Sequence, residues 1–394
     1  MKRRTFLHRS ALAALAPMAP RFLQDFSHTR VQGDKILVII QLSGGNDGLN
    51  TLVPFRNDRY FQFRPQLALP KDKVLRISDE QAFNPVLTEF RRLFDDGKMA
   101  IVNSVGYDNP VRSHFRAMDI WQSGSSAAEN LTTGWLGRYL DTGCDGCTNG
   151  AHLLAMGNDL PLALKGRNRF GFAAGNVREL HEVSRSQRFM QMASARHAQE
   201  HTALGFMYKT LASTASTAEY LYQISGKVSS RSVYPGGQLA GQLKRTAELI
   251  AAGCHSKVYY LDHTGFDTHS SQLAQQTRLL TELSQGVQSF VADMTRYGRM
   301  QDVLIMVFSE FGRRLAENGS GTDHGNANQV YLIGHQIRKA GIANAAPDLV
   351  NLDEVGDVRH TVDFRQVYQE VLRKWLEVDS AAILRKEFPQ ISLL

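Results

Sequence analysis

Apolar residues along this chain alternate between short unbroken runs and stripes at helical spacing. Lys35 to Leu42 (KILVIIQL) is nearly continuous in Ile, Val and Leu, the pattern of a strand buried on both faces of a parallel sheet. Val86, Leu87, Phe90, Leu93 and Phe94 then recur on one helical face, with Asn84 placed to cap and Gly97 to stop a helix ending near Asp96. Met99 to Val105 reads as a second strand, followed by a helix over Ser113 to Gln122 that Ser123-Gly124 closes. Strand patterning returns at Lys257 to Leu261, Asp302 to Phe308 and Val330 to Ile333, with a long amphipathic helix from about Ser271 to Tyr297. Val367, Val371, Leu372 and Trp375 mark a closing helix over Asp363 to Leu376. The alternation predicts an α/β fold, a three-layer α/β/α sandwich with a mostly parallel central sheet.

The middle third departs from it. Gly- and Asn-rich loops run from about 141 to 183, and polar helices follow between about 184 and 224 and from Gln238 to Ala252. They predict a helical insertion over about 141–254 in a single domain spanning 29–394.

Composition narrows the class. With 394 residues, 43% of them hydrophobic and 21% charged, the chain builds a full-sized core and is neither a disordered tail nor a disulfide-stapled miniprotein. No run reaches the roughly 18 apolar residues of a membrane span. The net charge of +7 suggests nucleic acid at first sight, but Lys2, Arg3, Arg4, Arg9 and Arg21 crowd the N-terminus and leave a near-neutral body, so no nucleic-acid partner is expected. That N-terminus, Met1-Lys-Arg-Arg-Thr-Phe-Leu7 followed by the weakly apolar Ala11 to Pro20, is laid out like an export signal. Its paired arginines before x-Phe-Leu resemble the twin-arginine signal. Residues 1–28 are accordingly expected to be a signal peptide, the twin-arginine translocase a partner during export, and the protein periplasmic or secreted; a helix with a basic first turn is the plain alternative. Cys144 and Cys147 form a C-x-x-C in a glycine-rich loop with no second pair for a zinc site, and are read as either a local disulfide or two thiols. Cys254 reads as a core residue.

In parallel sheets, ligands sit just beyond the carboxyl ends of the strands. Each expected strand here is followed by polar chemistry: Ser43-Gly-Gly-Asn-Asp-Gly48, Asp108 to His114, His263 to His269, and Ser309-Glu-Phe-Gly-Arg-Arg314, while Gly321-Thr-Asp-His-Gly325 precedes the last strand. Imidazoles beside carboxylates suit a divalent ion that polarises an ester oxygen. A hydroxyl at a helix start suits a nucleophile. Ordinary readings stand beside these: Asn46-Asp47-Gly48 as a turn, Ser113 as an N-cap, His114 as a packing residue, Asp323 as a turn or cap, and Glu310 with Arg313 as a local ion pair.

Gln41-Leu-Ser-Gly-Gly-Asn-Asp-Gly-Leu-Asn50, Ser113-His-Phe115, Gly265-Phe-Asp-Thr-His269, Ser309-Glu-Phe-Gly-Arg-Arg314 and Gly321-Thr-Asp-His-Gly325 together resemble the DUF1501 proteins, over about residues 36 to 377. That family is in turn similar to the alkaline phosphatase and sulfatase superfamily. The resemblance implies Ser113 and His114 as catalytic residues, Asp47, Asp267, His269, Glu310 and His324 as metal ligands, and Asn46 and Arg313 as substrate contacts. It implies one or two divalent ions, zinc or manganese before calcium or magnesium, and hydrolysis of a phosphate or sulfate ester. Phe311 departs from the superfamily pattern, standing where an imidazole ligand is expected, and puts the second ion in doubt. The alternative is a catalytically degenerate secreted binding or assembly protein that keeps the fold and recognises a secreted partner.

Overall fold

The central strand β1 (Ile36–Ser43) is buried almost throughout, because its side chains point alternately into two separate cores. The structure is a computed structural model, and it describes residues 35–142, 150–193 and 203–394. The expected signal peptide and the Cys144/Cys147 loop lie outside the described residues.

Further along the chain come α1 (Thr88–Asp95), β2 (Met99–Gly106), α2 (His114–Ser123), α3 (Trp135–Thr142), β3 (Leu153–Ala155) and β4 (Phe172–Ala173). The second half supplies α4 (Gln238–Ala251), β5 (Val258–Thr264), α5 (Gln272–Arg296), β6 (Val303–Phe308), β7 (Arg313–Glu317), β8 (Thr322–His324) and β9 (Asn328–Gly334). It closes with β10 (Gly341–Ile342), β11 (Val362–Asp363) and α6 (Phe364–Glu370). Nine strands form one sheet in the order β10-β2-β9-β6-β1-β5-β3-β4, with β11 also on β2. Val38 sits in register with Tyr259 on one side and Ile305 on the other, both parallel. Ile36, Val38, Ile40 and Leu42 meet Leu243 of α4, Phe290 of α5 and Phe90 of α1, whereas Leu37 and Ile39 belong with Trp121 of α2, Leu140 of α3 and Val367 of α6. Helices thus cover both faces, which is the three-layer α/β/α sandwich expected from the sequence.

Three local expectations change. Strand β9 runs antiparallel to both neighbours, since the link from β6 is the hairpin β7–β8 and no helical crossover is present to bring it back parallel. Helix α1 begins at Thr88 and not directly after Asn84; Asn84 heads a separate turn instead, accepting from the Val86 N–H and donating to the Asn50 carbonyl. The closing helix keeps Asp363 as its cap but widens into a π turn over Val371–Trp375. The stretch read as an insertion is also partly integral. Strands β3 and β4 extend the sheet in parallel beyond β5, and α4 buries Leu239, Leu243, Ala247 and Ile250 in the core.

His152, at the turn leading into β3, is 5% exposed and close to the His255 carbonyl (3.2 Å). Burial pulls its pKa down to about 4. The folded protein holds this ring neutral while the unfolded chain protonates it near 6.5, so its contribution is complete above about pH 6.5 and is lost as pH falls toward 4, up to about 3 kcal/mol. Urea midpoints measured between pH 7 and 4 should fall less steeply for His152→Gln than for the unaltered chain.

Candidate metal centre

The loops after β1, β5 and β6 meet at the carboxyl edge of the sheet with no room between them. Gly44 (φ +117°) and Gly45 (φ +72°) make this approach: a Cβ on Gly44 would lie 2.4 Å from the Asp267 backbone nitrogen, and one on Gly45 would lie 2.3 Å from the Phe311 ring.

Arg313 ties these loops together. Its side chain has no exposed surface; Nε donates to the Gly45 carbonyl (2.6 Å), Nη1 to the Thr322 carbonyl (2.8 Å), and Nη2 to the Phe266 carbonyl (2.8 Å), the Gly44 carbonyl and Asp267 Oδ1 (2.9 Å). The expectation that Arg313 contacts substrate is therefore corrected. Its donors are consumed by backbone carbonyls and one carboxylate, and it acts by holding Asp267.

Asp267 Oδ1 is the point on which three imidazoles converge. His324 Nε2 and His269 Nε2 each lie 3.0 Å from it, His114 Nε2 lies 3.3 Å from it, and the two nitrogens of His269 and His324 are 3.0 Å apart. The far nitrogens are engaged. His324 Nδ1 donates to the Arg112 carbonyl (2.8 Å) and His114 Nδ1 donates to Glu310 Oε1 (2.8 Å), so both rings leave the Nε2 lone pair facing inward. His269 Nδ1 faces Asp323 Oδ1 at 3.4 Å. Although buried, His114 Nε2 has no hydrogen-bond partner. Facing lone pairs repel unless a proton or cation lies between them, and imidazole nitrogens with a carboxylate oxygen form a donor set of the kind divalent ions take. Bonds of about 2.0–2.1 Å in a tetrahedron put donor atoms about 3.3 Å apart; the contacts to Asp267 Oδ1 at 3.0–3.3 Å are close to that, and the donor atoms of His114, Asp267 and His324 all lie within 4.8 Å of one another. His114, Asp267 and His324 fit a divalent ion, with His269 beside the last two, and the rings of His114 and His324 are backed by the acceptor-to-imidazole arrangement that fixes metal-binding histidines.

Charge follows the same geometry. Burial opposes ionisation of Asp267, but the adjoining His324 ring and the Arg313 guanidinium outweigh it and hold the carboxyl well below the usual range. The hydrogen bond to Glu310 pushes the His114 pKa up, against its partial burial.

Of the expected ligands, Asp267, His269 and His324 come together and two others do not. Glu310 stands behind His114: Oε1 takes the His114 proton and the Gly44 N–H (2.9 Å), and Oε2 accepts from Ser309 Oγ (3.1 Å). Asp47 is buried against Arg64 (2.6 Å), accepts from Gln272, and caps the turn Gly48–Thr51 through the Leu49 N–H. Its charge is taken by the guanidinium. His114, expected as a catalytic residue, is instead a fourth inward-facing donor. Asn46, expected to contact substrate, is buried; its side chain pairs with Thr51 (3.0 Å) and its N–H donates to Ser309 Oγ (2.9 Å). Phe311 is buried between His114 and His324, with ring centroids 4.9 Å from each. Among the described residues, no second ion site forms around Asp47 and Glu310. Ser113 holds the N-cap position of α2, yet its hydroxyl makes no capping bond and is exposed. Sequence reasoning missed the Arg112 carbonyl, which leaves no signature in a residue type, and Asp323, whose role behind His269 reads as a turn.

The family model for DUF1501, described as a protein of unknown function, matches residues 98–376. The chain belongs to the DUF1501 family. The matched stretch carries all four inward-facing donors of this DUF1501 protein together with Glu310 and Arg313. No curated protein matches the chain in sequence. Among solved structures it is similar to the lipoteichoic acid synthase LtaP from Listeria monocytogenes (9% identity, TM-score 0.41, 89% of this chain and 76% of that one). It is similar too to murine ectonucleotide pyrophosphatase/phosphodiesterase 5 in complex with AMP (6%, 0.40, 90% and 96%). A third likeness is to Ps i-CgsB in complex with k-i-k-neocarrahexaose (10%, 0.39, 90% and 73%). Matches at these scores do not bear on what the DUF1501 site does.

In the metal-free protein the His114 pKa lies above its unfolded value, so the His114–Glu310 pair contributes fully below about pH 6.5 and is lost as pH rises through the raised value. Glu310→Gln should lower the His114 midpoint in an NMR titration, and the stability gap between the two proteins should close toward alkaline pH.

Proposed function

We propose that this DUF1501 protein is an exported hydrolase of phosphate or sulfate esters that works with one divalent ion held by His114, Asp267, His269 and His324. The observation that carries the reading is the convergence of three Nε2 atoms on Asp267 Oδ1 at the carboxyl edge of the sheet. A divalent ion bound there supplies Lewis-acid charge for the ester's oxygens.

The chain's own groups account for the rest. Arg313 keeps Asp267 ionised and fixed, and Glu310 orients His114 from behind. Ser113, immediately before His114, offers an unengaged hydroxyl as nucleophile toward phosphorus or sulfur. The first N–H groups of α2, which lack helical partners, favour the anionic group beside it. Asp267 and His269 are about half exposed, which leaves the outer side of the centre open to substrate. Export is proposed from Arg3-Arg4-x-Phe6-Leu7; the twin-arginine route carries folded proteins, so an ion taken up in the cytoplasm would travel with the chain to the periplasm.

A second reading, a secreted binding protein without turnover, is favoured by Phe311 in place of an imidazole and by the pairing of Asp47 with Arg64. Protein purified from the periplasm without chelator should contain about one zinc or manganese per chain, and His269→Ala should lose it. On a panel of aryl phosphate and sulfate esters, Ser113→Ala should keep the metal and lose turnover by orders of magnitude. Bound metal with no turnover on any ester, and no change in Ser113→Ala, supports the binding protein.

A further inference from the structure

The loop between β10 and β11 carries two carboxylates that touch no inward-facing atom of the metal centre. Asp353 Oδ1 accepts the N–H groups of Val355 (3.1 Å) and Asp357 (2.8 Å), and its own N–H donates to the Asp357 carbonyl (2.8 Å). This turn, with Gly356 at φ +86°, sets both side chains toward one guanidinium. Arg112 Nε donates to Asp357 Oδ2 (2.7 Å), and Nη2 donates to the same oxygen and to Asp353 Oδ2 (3.2 Å). Asp357 has no exposed surface. Such a two-carboxylate clasp fixes a planar guanidinium in orientation as well as position.

What it fixes matters because Arg112 reaches the metal centre by its backbone. The Arg112 carbonyl is the acceptor of His324 Nδ1–H (2.8 Å), and it lies two residues before His114 at the start of α2. We infer that Asp353 and Asp357 are positioning residues of the metal centre, acting through Arg112 to hold His324 in the tautomer that leaves Nε2 free. Resting on the one-ion reading above, the inference also assigns the loop a purpose that its distance from the chemistry hides. A loose Arg112 would let its carbonyl turn away, and His324 would then distribute its proton between both nitrogens and present a poorer ligand.

The test uses the full chain and two readouts. Zinc is titrated in competition with a chromophoric chelator, and the His324 ring of the metal-free protein is followed by nitrogen–proton correlation NMR. Asp357→Asn and the more exposed Asp353→Asn should each weaken zinc binding, by about 10–100-fold when combined, and should turn a single Nδ1–H form of His324 into a mixture. Asp348→Asn, which loses only a turn in the same loop, should change neither readout. Should Asp357→Asn fail to fold, Asp353→Asn alone decides the matter. Wild-type zinc affinity and an unchanged His324 tautomer in folded variants overturn the inference. If the unaltered chain takes up no zinc, the one-ion reading fails on its own, and the tautomer readout in the metal-free protein still decides whether the clasp sets His324.

Discussion

A guanidinium withdrawn completely from water has five N–H donors to satisfy, and the way Arg313 satisfies them holds the rest of the site in place. Its acceptors come from the loop after β1, the loop after β5 and the strand leading to His324, so one side chain cross-links three segments far apart in sequence. Because most of its acceptors are backbone carbonyls, the clasp depends on the path of those loops, which Gly44 and Gly45 set by taking conformations and approaches that a Cβ would block. Its one side-chain acceptor is Asp267, and that contact keeps a half-exposed carboxylate charged among three imidazoles.

Much of this architecture was readable from residue order. Runs such as KILVIIQL announce strands buried on both faces, and the polar motifs after them had to fall on one edge once the sheet was taken as parallel. Direction was harder to read. Whether β9 runs parallel depends on the nature of the β6–β9 link, and a short hairpin there has no strong signature. The middle third looked detached because its strands are two and three residues long, too short to show alternation.

Roles within the site divided along a physical line. Asp267, His269 and His324 were legible because imidazoles beside a carboxylate have few common uses. Asp47 and Glu310 were misplaced because a carboxylate is the same residue whether it meets an ion, an arginine or a histidine N–H; Arg64, which claims Asp47, is 17 positions away and unmarked by any motif. His114 was visible as a residue and hidden as a donor, since only geometry shows which ring nitrogen faces inward. Phe311 was legible as a departure. Its ring packs on His114 and His324 together, a contact between donors that the residue type alone does not announce.

The outermost strands of the sheet carry a different implication. β4 at one margin, and β10 and β11 along the outer side of β2 at the other, are each two residues long. A nine-stranded sheet with long bare margins would offer a row of unpaired amides on which another copy's strand could add, the first step of edge-to-edge aggregation. Stubs of two residues present too few groups to template that addition. The sheet therefore ends where it could otherwise have grown, and at its margins another copy's strand finds only two-residue stubs to pair with.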